Sequence, residues 1–225
     1  MKDKKLLSDI KEYLKCYENQ VLEDWYELIR HISVSETGEG IETCCDWIQK
    51  KMEEIGIQVT KYSVKPAPVL VGRFGNDPEK KTVLIYAHYD VKPAGERKLW
   101  HSDPFVPTVR DGKVYARGSA DNKSPLMAHL KALEYFIRRK MEVPVNVIFV
   151  FEGDEECGSR GLEEFLAEHR TELAADLVFF SDGPKDPSGL PIIALGAKGD
   201  LSVHITVETM NRNVHARYAS VLPSA

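Results

Sequence analysis

Val145 to Ser159, VNVIFVFEGDEECGS, decides the fold. From Val145 to Phe151 every residue but Asn146 is apolar, and this loss of alternation predicts a strand buried on both faces, as in a parallel sheet under helices. The strand runs into an acidic loop in which Glu152, Asp154, Glu155 and Glu156 crowd four carboxylates into five positions, with Gly153 and Gly158 bending the backbone. Two like charges about 4 Å apart repel by roughly 4 kcal/mol at an effective dielectric of 20. Such a cluster beside a core needs a counter-charge, and a bound cation supplies one.

Working outward, two further apolar runs end in metal-ligating residue types. Lys81 to Ala87 reads as a central strand with His88 and Asp90 at its end, and Asp176 to Phe180 as another buried strand followed by Ser181-Asp182-Gly183. In open α/β sheets ligands bind at the carboxyl ends of strands. Three buried strands thus deliver His88 with Asp90, Glu155 with Glu156, and Asp182 to one sheet edge, which points to a shared metal site. Asp121 precedes a helix whose first turn holds Pro125 and whose apolar face is Leu126, Met127, Leu130, Leu133, Phe136 and Ile137. It reads either as an N-cap or as a ligand whose anionic form the helix end favours.

The remaining chain frames this sheet. Lys4 to Ile32 has helical spacing and is one helix or a broken pair, and Ile41 to Ile55 is a second helix stopped by Gly56. Ile57 to Val64, Val69 to Phe74 and Lys113 to Ala116 read as strands, Gly161 to Arg170 as an amphipathic helix, and Trp100 with Phe105 as pins for a polar loop. From Leu201 the pattern alternates, as in an antiparallel strand with one wet face, so a domain boundary is expected near Pro191.

Composition excludes several classes. The 225 residues carry a formal charge of −5 with no basic stripe, against a nucleic-acid or anionic-membrane partner. No apolar run spans a membrane, and the N-terminus lacks the core and cleavage site of a signal peptide. Cys16, Cys44, Cys45 and Cys157 form no CxxC pair and read as reduced thiols of a cytoplasmic protein. No glycine-rich loop followed by Lys-Ser or Lys-Thr is present, which disfavours phosphate chemistry.

The blocks LIYAHYDVKP, WHSDPF, DGKVYARGSADNKSP, FEGDEECGS and SDG together resemble the co-catalytic zinc peptidases that include carnosinase, aminoacylase, glutamate carboxypeptidase and succinyl-diaminopimelate desuccinylase. The likeness covers most of Trp25 to Asp182 and looks closest to the dipeptidase branch. It implies an α/β catalytic domain, residues 1–192, with a mixed, largely parallel central sheet flanked by helices, and over 193–225 the start of a small α/β lid that forms a homodimer. It also implies two divalent ions, zinc foremost, with cobalt or manganese as substitutes. Asp121 would bridge them, His88 and Asp182 would complete one ion's ligands, and Glu156 would bind the other. Glu155 would be the general base, Asp90 the acid that orients His88, and His215 an oxyanion-stabilising histidine reaching a partner subunit. The bond Asp121-Asn122 would be cis. The family continues beyond this stretch and supplies one more histidine ligand, so the chain is expected to be an N-terminal portion. The implied activity is hydrolysis of dipeptides, short peptides or N-acyl amino acids; the competing expectation is a non-catalytic metal-binding or dimerising fragment.

Overall fold

A computed structural model describes residues 2–183 together with 188, 192, 193, 196, 199, 201 and 203–207. The chain divides into two compact units, 1–183 and 184–225. Most of the second lies outside the described residues, including His215 and the larger part of the lid expected over 193–225.

The first unit opens with a single helix, α1 (Lys2–Arg30), rather than a broken pair. Helix α2 (Ile41–Ile55) buries Ile41, Cys44, Cys45, Ile48, Met52 and Ile55 along one stripe. Gly56 ends it at φ 95°, a conformation open to glycine, and the next amide, of Ile57, donates to the carbonyl of Met52 at 3.1 Å.

Strands β1 (Gln58–Tyr62), β2 (Val69–Phe74), β3 (Thr82–His88), β6 (Asn146–Glu152) and β7 (Leu177–Phe180) form one sheet in the order β1-β2-β6-β3-β7. A small hairpin of β4 (Thr108–Arg110) and β5 (Lys113–Tyr115) stands apart from it. The sheet is mixed: β1–β2 and β2–β6 are antiparallel, β6–β3 and β3–β7 parallel. The parallel half is the half that carries the candidate ligands.

Strand β6 is buried at all seven positions, as its sequence predicts. Val147, Phe149 and Phe151 join a core with Leu28, Ile48, Met52, Leu126 and Leu130, under α1, α2 and α3 (Lys123–Arg138). Ile148 and Val150 face the other way, onto Phe165 of α4 (Leu162–Glu168) and Leu173. Asn146, the polar exception, is satisfied: its Oδ1 accepts from the Asp77 amide at 3.0 Å and its Nδ2 donates to the Asp77 carbonyl at 2.8 Å. That bond pair pins the turn between β2 and β3.

Two expectations fail. Leu177, Val178, Phe179 and Phe180 are 48–60% exposed, so β7 is an open edge strand and not a buried one. It pairs with β3 on one side only, and its helix contact is slight, His129 of α3 meeting Phe179 edge-on. Residues 203–207 form no strand, and Val203, Ile205 and Val207 are all exposed. Alternation alone makes no strand where no described segment supplies ladder bonds.

Candidate metal centre

Because β6, β3 and β7 run parallel and adjacent, their carboxyl ends fall side by side. His88 closes β3, opposite Glu152 of β6 in register, and Asp182 follows β7 by two residues. Asp121 reaches the same place from the loop before α3. His88, Asp121 and Asp182 each offer a ligand atom, all within 4.8 Å of one another. The His88 Nε2 lies 3.0 Å from Asp121 Oδ1, 3.3 Å from Asp182 Oδ2 and 3.7 Å from Glu155 Oε2.

The donor set fits a divalent ion. Metal–ligand bonds of about 2.1 Å at tetrahedral angles put ligand atoms about 3.4 Å apart, close to the separations here, and one imidazole with carboxylates is a borderline donor set. Electrostatics agree. Burial alone would push the His88 pKa down, but the hydrogen bond and charge of Asp90, then the charges of Glu155 and Asp182, outweigh it and lift it to about 9. Acids in excess around one fully buried ring call for a cation.

Asp90, fully buried, aims the ring. The His88 Nδ1 lies 3.2 Å from Asp90 Oδ1 and 3.1 Å from the Asp90 carbonyl, so Nδ1 keeps its proton and Nε2 is the nitrogen that would give up its own to face a metal. The same carboxylate accepts the backbone amides of Glu155 at 3.2 Å and Glu156 at 3.1 Å. One buried side chain therefore sets both the histidine and the acidic loop.

The loop sorts its four carboxylates. Glu152 accepts from the Tyr86 hydroxyl at 2.5 Å and the Ser159 hydroxyl at 2.8 Å, and Asp154 is clamped by the Arg160 guanidinium at 2.6 and 2.9 Å. Two of the four carboxyl groups thus have structural partners, and the short 3₁₀ turn at Glu155–Cys157 carries the other two, aiming Glu155 at His88 and Glu156 at Lys92. Burial, partly offset by His88 and reinforced by Asp182, Glu156 and Asp90, raises the Glu155 pKa. Glu156 stands outside the group of three: its Oε2 is 3.4 Å from Lys92 Nζ, which also donates to the Glu156 carbonyl.

Asn122 and Lys123 belong to the site's support and carry no role in the sequence reading. Asn122 is fully buried and its Nδ2 donates to the Ser181 carbonyl at 2.8 Å. Lys123, also buried, donates to the carbonyls of Leu28 at 3.1 Å and His31 at 2.5 Å, joining α3 to the end of α1. A cation in a helix's first turn opposes the helix dipole, and that misfit is the signal that could have flagged Lys123. The bond Asp121-Asn122 is cis. Among the other histidines, His129 packs edge-on against Phe179 and His169 pairs with Glu172, both away from the centre.

Residues 84–221 match the model of peptidase family M20/M25/M40. Over 172 residues the chain is 40% identical to the Cys-Gly metallodipeptidase dug1 of Schizosaccharomyces pombe, an alignment covering 74% of this chain and 36% of that protein. Among solved structures it resembles the M20 family metallo-carboxypeptidase Sso-CP2 of Sulfolobus solfataricus, with TM-score 0.72, 36% identity and coverage of 75% of this chain and 38% of that one. It also resembles human carnosine dipeptidase 1, with TM-score 0.75, 29% identity and coverage of 79% and 41%. The alignments thus span little more than a third of the length of these relatives. The family match over more than half of the sequence, joined to an imidazole and two carboxylates meeting at the ends of parallel strands, identifies the chain as a member of peptidase family M20/M25/M40.

Proposed function

We propose that this protein is a metal-dependent hydrolase of peptide or amide bonds, acting on dipeptides, short peptides or N-acyl amino acids. The convergence of His88, Asp121 and Asp182 within 4.8 Å, with Glu155 beside them, is the observation that carries the reading. Cys-Gly and β-Ala-His dipeptidases among the relatives favour a dipeptide substrate. Two divalent ions, zinc foremost, complete the site in this reading.

The ions would lower the pKa of a water and polarise the scissile carbonyl. His88, Asp121 and Asp182 would hold one ion, and Asp121 with Glu156 would hold the second, Glu156 giving up its contact with Lys92 to do so. Glu155 takes the proton of the attacking water and returns it to the leaving nitrogen, so that the C–N bond breaks to give a carboxylic acid and an amine. Asp90 keeps the His88 proton on Nδ1 throughout. His215 donates to the developing oxyanion from a partner subunit, which requires a homodimer formed through the lid. Four free thiols, and the absence among the described residues of any helix long and apolar enough to cross a membrane, fit a cytoplasmic setting.

The test is hydrolysis of a dipeptide panel with zinc, cobalt or manganese, comparing the unaltered chain with Glu155→Gln. Base catalysis is worth about 10²–10⁴-fold, so the variant should lose that much rate while binding the ion as before. Equal turnover by the variant would refute the base. Ion binding without turnover by the unaltered chain would favour the non-catalytic, metal-binding reading.

A further inference from the structure

Asn122 occupies the position where an asparagine ordinarily caps a helix by accepting from an amide of the first turn. Its carbonyl does begin α3, accepting from the Leu126 amide at 3.1 Å, but its side chain makes no cap bond. The side chain turns away instead, and Nδ2 donates to the carbonyl of Ser181, 59 residues along the chain. A carbonyl can only accept, so the amide nitrogen must face it. Oδ1 is then left buried without a hydrogen-bond partner among the described residues, which costs stability. A leucine of similar volume would fill the space without that buried orphan, losing only the bond to Ser181. Packing alone therefore does not account for an amide here.

The bond joins two segments that share no ladder. Asn122 directly follows Asp121, and Ser181 directly precedes Asp182. Phe180, the last residue of β7, ends the pairing with β3, so Asp182 lies beyond the sheet's own hydrogen bonds. His88 is fixed by the sheet and by Asp90, whereas the two aspartates come from separate loops.

We infer that Asn122 is a positioning residue that couples Asp121 to Asp182, holding their carboxylates at the spacing one divalent ion requires. The inference rests on the metal reading above. It is tested in this chain with Asn122→Leu, measuring Zn²⁺ and Co²⁺ affinity by competition with a chelating dye, the visible absorption of bound Co²⁺, and thermal melting in EDTA. Loss of a residue that orients metal ligands typically costs 10–100-fold in affinity. The expected result is a loss of that size and an altered Co²⁺ spectrum, with the EDTA melt little changed, because the variant removes the orphaned Asn122 acceptor and in exchange leaves the Ser181 carbonyl without its donor. Unchanged affinity would overturn the inference, and so would a fall in affinity matched by a fall in the EDTA melt. If the leucine variant does not fold, Asn122→Ala carries the same expectation for affinity and spectrum. Failure of the unaltered chain to bind either ion, or binding undisturbed by His88→Ala, would remove the metal reading itself and the inference with it.

Discussion

Replacing Asp90 by asparagine exchanges one carboxylate oxygen for an amide nitrogen and tests the centre's design at its root. The carboxylate serves the ring and two amides, with the Ser35 hydroxyl as a further partner: Oδ1 takes His88 Nδ1 and the Glu155 amide, and Oδ2 takes the Glu156 amide. An asparagine that keeps its oxygen toward His88 turns an NH₂ group toward the Glu156 amide, donor against donor. Flipped, it opposes two donors instead of one, so the first orientation sets the minimum cost. One buried N–H is then orphaned, at about 1–3 kcal/mol, and the two surviving bonds lose the charge that made them strong, roughly 1 kcal/mol each. Against this, removing one negative charge relieves repulsion with Glu155, whose pKa Asp90 helps to raise. These losses come to about 3–5 kcal/mol and the relief offsets part of them, leaving roughly 3 kcal/mol, a melting point lower by about 6–12 °C for a chain of this size. Because the ring and the acidic loop both loosen, zinc affinity should fall by about 10–100-fold. Thermal melting in EDTA and zinc competition with a chelating dye read the two effects separately. Asp90→Asn binding zinc as tightly as the unaltered chain, with an unchanged melt, would refute the claim that one carboxylate sets both elements.

Three other substitutions probe the frame. At Gly153 an added Cβ would sit 2.5 Å from Tyr89 Cζ and Oη, and the Tyr89 ring is fully buried with its hydroxyl donating to the Pro68 carbonyl at 2.7 Å; Gly153→Ala should cost about 1–3 kcal/mol in urea unfolding. Leu177→Ser, on the exposed edge strand, should change stability by less than about 0.5 kcal/mol, and a loss above 2 kcal/mol would mean that β7 is covered in solution. Lys131→Ala removes one of the two cations paired with each of Asp24 and Glu134, both nearly buried between α1 and α3, and with Lys51 and Arg138 still in place should cost roughly 1–3 kcal/mol. Burial pushes the Asp24 carboxyl up, but Lys131 and Lys51 outweigh it and hold the pKa below its ordinary value. That stabilisation is present above the unfolded carboxylate pKa and is lost as pH falls through the folded one. The rise in melting point between pH 3 and pH 5 should therefore be flatter in the alanine variant, and an equal rise in both would assign the acid limb to other groups.

What the sequence discloses and what it hides follow from the range of each interaction. β6 is legible because burial on two faces erases alternation, and each side chain reports its own environment. β7 has the same apolar run and is exposed, since apolarity records what a residue can tolerate and not what is packed on it. The candidate ligands His88 and Asp182 are legible as strand-end residues, but their meeting depends on the order β6-β3-β7, and no local pattern encodes which strands are neighbours. Within the acidic loop the division of labour is partly local. Asp154 finds Arg160 six residues on, and Glu152 finds Ser159 seven residues on, so both could be discounted as ligands from their surroundings. Glu156 could not be sorted in that way, because its partner Lys92 lies 64 positions away in the loop after His88. The same separation makes that contact informative. A lysine beside the glutamate assigned to the second ion supplies the counter-charge the loop requires, so that ion must displace an ammonium before it can bind, whereas an ion among His88, Asp121 and Asp182 meets no such competitor among the described residues. Two binding steps of unequal affinity should follow in a zinc titration, and Lys92→Met should strengthen the weaker step and leave the tighter one unmoved.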